Sequence, residues 1–123
     1  MKIYLAGPMT GYPDFNYPAF HDAATHLRAQ GHAVINPAEN HGGKQDLKRI
    51  DYLRADLPQV LEVEAVVVLP GWEQSFGAKH EVLTAQIAEI PIWTYNLALP
   101  GMIRPADSRM RVLMGVWNVT AAS

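Results

Sequence analysis

Residues 65–92 read AVVVLPGWEQSFGAKHEVLTAQIAEIPI, and this stretch decides the fold. It opens at 65–69 on an apolar, β-branched run with no polar alternation, the pattern of a strand buried on both faces in a parallel sheet. A loop containing Pro, Gly and Ser follows over 70–76. After Gly77, apolar residues recur at Ala78, Val82, Ala85 and Ala88, which is helical spacing. Residues 90–94 read as the next strand. The whole is a strand–loop–helix–strand unit, and in such sheets the loop after a strand lies at the carboxyl edge, where ligands bind. Glu81 falls within about the first turn of the helix, beside that loop.

Working back toward the start, residues 2–6 (KIYLA) form a short apolar strand that runs into the tight loop Gly7-Pro8-Met9-Thr10-Gly11. Asn16 is placed to cap a helix over 19–30, with Pro18 in its first turn. Phe20, Ala23, Ala24 and Leu27 share one face of it, and Gly31 is its stop. Residues 33–36 form a second strand, ended by Pro37. Residues 38–45, polar and glycine-containing, read as a loop over the sheet edge. Residues 46–55 read as helical. Pro58 is unsuited to a helix interior, so a second helix is expected to begin there, with Asp56 at its N-cap, and to lead into the strand at 65. A helix that feeds a parallel strand starts at the carboxyl edge. Asp56, the 7–11 loop and Glu81 are therefore expected on one rim. Beyond 97, Pro100, Gly101 and Pro105 interrupt regular structure. A short helix is expected over 110–117, against the sheet or against another subunit.

The chain of 123 residues is enough for one domain, 1–123, with a real core. Its net charge of −2 provides no electrostatic footprint for a nucleic-acid polymer. No apolar run reaches membrane-spanning length and no signal peptide precedes the first strand, so a soluble cytoplasmic protein with no membrane partner is expected. The absence of cysteine excludes disulfide and thiolate chemistry. The first loop lacks both G-x-G-x-x-G and the Walker Lys-Ser/Thr, so neither a dinucleotide nor a nucleoside triphosphate site is supported. The 5 histidines show no metal-ligand spacing. The expectation is no cofactor and no metal.

Two carboxylates on one rim, Asp56 and Glu81, are the simplest apparatus for breaking a glycosidic bond: one attacks or stabilises an oxocarbenium-like carbon and the other handles a proton. Ser75 and the 7–11 loop add hydroxyl and backbone N–H donors beside helix starts, which favour anions. Trp72 and Tyr12 offer flat faces for a base or sugar. Plain structural readings compete with these. Glu81 near a helix start is favourable through the dipole alone, Asp56 serves as an ordinary N-cap, Trp72 covers the core, and Gly7 and Gly11 shape a turn.

Three motifs taken together, IYLAGPMTG at 3–11, Asp56-Leu57, and VVVLPGWEQSFGAKHE at 66–81, resemble the nucleoside 2-deoxyribosyltransferase-like superfamily. The nearest resemblance is to its short bacterial and phage members, over roughly residues 2–95, with deoxynucleoside 5′-monophosphate N-glycosidases among the related enzymes. The resemblance implies an α/β fold, a flavodoxin-like three-layer sandwich with a parallel sheet of about five strands. It implies that Glu81, in the G-x-x-x-E segment begun by Gly77, is the nucleophile. It assigns Asp56 to proton transfer to the base or to the sugar hydroxyls, and Tyr4 to orienting the glutamate. Ser75 would bind a 5′-phosphate, and the backbone at Gly7, Met9 and Gly11 would line the sugar and phosphate region. Thr10 stands in that loop where the monophosphate hydrolases carry a basic residue, with Lys79, Lys44 or Arg49 as substitutes. Pro70-Gly71-Trp72 departs from the loop of the better-known transferases.

The expected function is cleavage of the N-glycosidic bond of a 2′-deoxynucleoside or its 5′-monophosphate through a covalent glutamyl-deoxyribosyl intermediate. A second base (transferase) or water (hydrolase) would resolve it. The resemblance also implies a homodimer or higher homo-oligomer, with 97–123 as a contacting tail. The rival expectation is a non-catalytic module that binds a nucleotide or nucleotide sugar on the same rim.

Overall fold

The computed structural model describes residues 1–40 and 47–106. Within them lie five strands, β1 (Lys2–Ala6), β2 (Ala33–Ile35), β3 (Ala65–Val68), β4 (Ile92–Tyr95) and β5 (Ile103–Pro105), and three α-helices, α1 (Tyr17–Ala29), α2 (Arg49–Val60) and α3 (Phe76–Ile87). The strands form one sheet in the order β2-β1-β3-β4-β5. The first four are mutually parallel, and β5 pairs antiparallel with β4 through Thr94↔Arg104. This is the flavodoxin-like order, which reverses direction between β1 and β3 and so opens a crevice at their carboxyl ends.

Strand alternation sorts the core into two layers. Ile3 and Leu5 of β1, with Val67 of β3, pack against Phe20, Ala23, Ala24 and Leu27 of α1. Tyr4 and Ala6, with Val66 and Val68, pack on the other face against Val60 of α2 and Ala78, Val82 and Ala85 of α3. Every residue of β3 is buried, as its unbroken apolar run requires of a strand covered on both sides. The three-layer α/β sandwich follows from that alternation.

Three local expectations are corrected. Residues 46–55 and a new helix near Pro58 are replaced by one continuous helix, α2, that carries Pro58 inside it. Asp56 is therefore a buried residue of the helix interior, not an N-cap. Proline forfeits one backbone hydrogen bond there, and the burial of Val60 against the sheet holds the last turn in place. Asn16 precedes α1 but does not cap it: it sits at φ 60°, and its amide donates to the Pro8 carbonyl at 2.8 Å. Residues 90–91 lie before β4 rather than in it. Gly31 does stop α1, at φ +92° with its N–H on the Arg28 carbonyl. Residues 37–39 form a 3-10 turn. The expected helix over 110–117 lies outside the described residues, as do positions 41–46 of the expected loop. No helix among the described residues is long and apolar enough to cross a membrane.

Candidate active site

At the carboxyl ends of β1 and β3 lies a cavity of about 530 Å³. Its walls come from the first loop (Gly7, Met9, Thr10, Tyr12), from Phe15, from α2 (Arg49, Tyr52, Leu53, Asp56) and from the start of α3 (Ser75, Phe76, Gly77, Ala78, Glu81). The loops that form the mouth are locked together by close approach. A Cβ on Gly7 would stand 2.9 Å from Leu69 Cβ, and one on Gly71, at φ +86°, would stand 2.6 Å from the Tyr12 hydroxyl.

The start of α3 is set by Ser75, an extended residue whose Oγ accepts the Ala78 N–H at 3.2 Å. From that start, Ala78, Glu81, Val82 and Ala85 recur at i, i+3, i+4 and i+7 and make up the buried face of the helix. Glu81 is the single acidic member of an otherwise apolar stripe. It is only 6% exposed, in the second turn of α3. The same pleat that turns Tyr4 toward α3 brings its phenol to Glu81, and Tyr4 Oη donates to Glu81 Oε2. Burial raises the Glu81 carboxyl well above the usual carboxylate range. The Tyr4 hydrogen bond works against that rise, and the negative charge of nearby Asp56 adds to it. Tyr4, fully buried, is itself raised, by burial first and then by the charges of Glu81 and Asp56.

Asp56 reaches the cavity from the middle of α2. Its Oδ1 accepts from Asn40 Nδ2 at 2.9 Å, and the same amide nitrogen lies 2.6 Å from Gln59 Oε1. The two carboxyl groups thus face one cavity from two helices, one supported by a phenol and the other by an amide.

An aromatic wall completes the site. Phe15 lies between Tyr17 (centroids 5.6 Å apart, edge-on) and Tyr52 (6.0 Å, tilted). It is placed there by left-handed backbone at Asp14, Phe15 and Asn16, with φ of 51°, 58° and 60°. Such conformations cost on the order of 1–3 kcal/mol each in a non-glycine residue and concentrate at functional sites. The Asn16–Pro8 hydrogen bond ties this strained turn to the first loop.

The structure brings together Glu81, Asp56, Gly7, Met9, Thr10, Ser75 and Gly77 at the cavity, with Tyr4 directly behind Glu81. It does not bring Trp72 or Gly11 there. Trp72 is buried in the core against α3, and Gly11 is an exposed turn residue at φ +86°. Sequence reading missed Phe15, Tyr52 and Leu53. The signal for the last two was present: Arg49, Leu53 and Asp56 stand at i, i+4 and i+7, with Tyr52 four residues before Asp56, which puts all of them on one face of an unbroken helix. Assuming a break near Pro58 hid that face. Phe15 carried no such signal, because its placement depends on the strained turn.

Among the described residues no group of three or more His, Cys, Asp or Glu side chains is arranged to hold a metal ion. No curated protein matches the chain. A family model described as a domain of unknown function, DUF4406, matches residues 1–94. That stretch holds β1, β2, β3, the three helices and every residue lining the cavity. The chain belongs to the DUF4406 family.

Proposed function

We propose that the protein cleaves the N-glycosidic bond of a 2′-deoxynucleoside or its 5′-monophosphate. The observation that carries this reading is the buried Glu81 carboxyl, held by the Tyr4 phenol, facing a cavity that also presents Asp56. A carboxylate aligned by a phenol and sheltered from water is suited to attack a carbon, and a second carboxyl nearby is suited to move a proton. The cavity volume is in the range of small-molecule sites, and its aromatic wall of Phe15 and Tyr52 offers flat surfaces to a base.

In the first step a Glu81 carboxylate oxygen forms a bond to C1′ while the C1′–N bond breaks. The electron pair leaves on the base nitrogen, and Asp56 supplies the proton that makes the base a neutral leaving group. In the second step a water oxygen or the nitrogen of another base attacks C1′, the ester bond to Glu81 breaks, and the incoming nucleophile surrenders its proton to the carboxylate at Asp56. Glu81 acts only when ionised. The Tyr4 hydrogen bond favours that form against burial, which supports an orienting and charge-stabilising part for the phenol in this reading.

The partner in this reading is a small nucleoside or nucleotide, and the chain acts in the cytoplasm, which a cysteine-free composition suits. A homodimer or higher homo-oligomer is part of the proposal. Exposed Leu61 and Ile87, at the ends of α2 and α3, are apolar surface available to it, and sedimentation of the purified protein tests it.

The functional test is chromatographic. The protein is incubated with deoxynucleosides and their 5′-monophosphates, with and without a second free base. Base release without an acceptor identifies a hydrolase. A new deoxynucleoside formed only with the acceptor identifies a transferase. Binding by calorimetry with no consumption of any substrate overturns the catalytic reading in favour of a binding module.

A further inference from the structure

The Asp56 carboxyl is held from behind by an amide. Asn40 Nδ2 donates to Asp56 Oδ1 at 2.9 Å and to Gln59 Oε1 at 2.6 Å. The two acceptors stand three positions apart on α2, so both project from one side of the helix. An amide NH2 carries two hydrogens and accepts nothing. Both hydrogens are committed here, and the group that faces Asp56 Oδ1 has only a donor to offer. Asp56 lines the cavity and Asn40 does not. Asn40 therefore stands behind the carboxyl rather than against a substrate.

This amide sits on a firm mount. Asn36, only 2% exposed, follows β2, and its Oδ1 accepts the Ala38 N–H at 3.0 Å. Its Nδ2 lies 3.1 Å from His21 Nδ1 on α1. Pro37 opens the 3-10 turn with a ring-fixed φ, and the Asn40 N–H closes that turn on the Pro37 carbonyl at 3.1 Å. From the outer side Arg28 of α1 donates to both Glu39 carboxylate oxygens, at 2.8 and 3.1 Å, and to the Val34 carbonyl at 2.8 Å. A two-pronged contact of this kind fixes geometry even where its exposure leaves it little stabilising worth. The turn is pinned on both sides, and it presents the Asn40 amide to Asp56 in one orientation.

We propose that Asn40 is a positioning residue that decides which oxygen of Asp56 handles the proton. With Oδ1 engaged as an acceptor, the proton resides on Oδ2. As the C1′–N bond breaks, its electron pair stays with the base nitrogen, which takes the Oδ2 proton, and Asp56 is left as a carboxylate. The negative charge spreads onto Oδ1, and the Asn40 hydrogen bond becomes charge-assisted as it does so. That gain is made in the transition state and not in the ground state. In the second step Oδ2 takes the proton of the incoming water or base. The inference rests on the glycosidic reading of the site and adds to it a residue that touches no reacting atom.

The test is a double-mutant cycle on kcat with N40A, N40D, D56N and the two double variants, using a deoxynucleoside or monophosphate that the native protein cleaves. N40A removes the amide, and N40D keeps its shape while losing the NH2 donor. Each is expected to lower kcat about tenfold to a hundredfold, the scale of one charge-assisted contact. KM should change by less than about twofold, because Asn40 lies outside the cavity lining. In the D56N background the same substitutions should cost less than about twofold, since the group Asn40 acts through is already disabled. A nitrophenyl 2′-deoxyriboside, whose leaving group needs no proton, should lose little in either Asn40 variant. Both substrates meet the same preparation, so their ratio is independent of the fraction folded. Losses that multiply in the double variants, or a raised KM with kcat intact, overturn the assignment and leave the glycosidic reading standing. The cycle decides alone if the nitrophenyl compound is not cleaved. A native protein that consumes no deoxynucleoside or monophosphate overturns both.

Discussion

Tyr4 of the first strand donates its phenolic hydrogen to Glu81 of the third helix, across 77 positions of sequence. Neither side chain has an evident reason to be polar from its local neighbours. Tyr4 is flanked by Ile3 and Leu5 in a buried strand, and Glu81 lies between Ala78 and Ala85 on a buried helical face. Each accounts for the other, and the pair opens onto the cavity that Asp56 enters from α2.

Replacing Tyr4 by Phe removes the donor and keeps the ring. The hydrogen bond lowers the Glu81 pKa, so its loss lets burial and the Asp56 charge raise that carboxyl further. The acid limb of the kcat/KM profile is expected to move to higher pH, with kcat/KM at neutral pH down about tenfold to a hundredfold. An unmoved acid limb would remove Tyr4 from the mechanism.

Glu81→Gln is expected to lower turnover by on the order of 10⁴-fold or more, as removal of a nucleophile does. Its stability carries a sign. The folded-state pKa of Glu81 is raised, so its protonated form is the one the fold accommodates. The stability it contributes is full below the unfolded carboxyl value and is lost as pH rises through the raised folded value. The Gln variant lacks that loss. Thermal unfolding between pH 4 and pH 8 (roughly the span from an unperturbed carboxylate upward) should show the native protein losing stability relative to E81Q as pH increases. Parallel curves would contradict the buried-charge account.

Asp56→Asn removes a negative charge that raises Glu81, so the acid limb is expected to shift to lower pH, opposite to the Tyr4 variant. At the same time kcat should fall by about 10²–10⁴, the usual worth of a general acid. A substrate whose leaving group requires no proton should suffer much less. Equal losses on both kinds of substrate would reassign Asp56 to binding.

Two glycines of the cavity wall should respond in opposite ways. Gly7→Ala forces a methyl to 2.9 Å from Leu69 Cβ and 3.2 Å from Phe20 Cζ, and is expected to destabilise by about 1–3 kcal/mol. Gly77→Ala meets nothing within 4 Å and lies in the first turn of α3, where alanine is the better helix former by about 0.5–1 kcal/mol. It should be neutral or stabilising in urea unfolding while raising KM, because its methyl enters the cavity.

Four strands, helices α1 and α3 and the rim where the site lies were legible in the sequence, while β5 and the continuity of α2 were not. Residues 65–69 had to be a doubly buried strand because they are apolar without alternation. Gly31 marked a helix end through local backbone chemistry that needs no distant partner, whereas the capping role of Ser75 emerged only in the structure. The order of elements then put the 7–11 loop and Glu81 on one edge. The tertiary structure decided what propensity could not. It ran α2 straight through Pro58, with Val60 of the last turn buried against the sheet, and so moved Asp56 from a cap to a helix face shared with Arg49 and Leu53. It buried Trp72 in the core, away from the cavity, and forced Phe15 into left-handed backbone to make a wall. These outcomes depend on contacts between residues far apart in the chain, whose energies appear only once the sheet has assembled. The Tyr4–Glu81 bond is of the same kind: its two members could be read from the sequence, but its existence is a property of the fold.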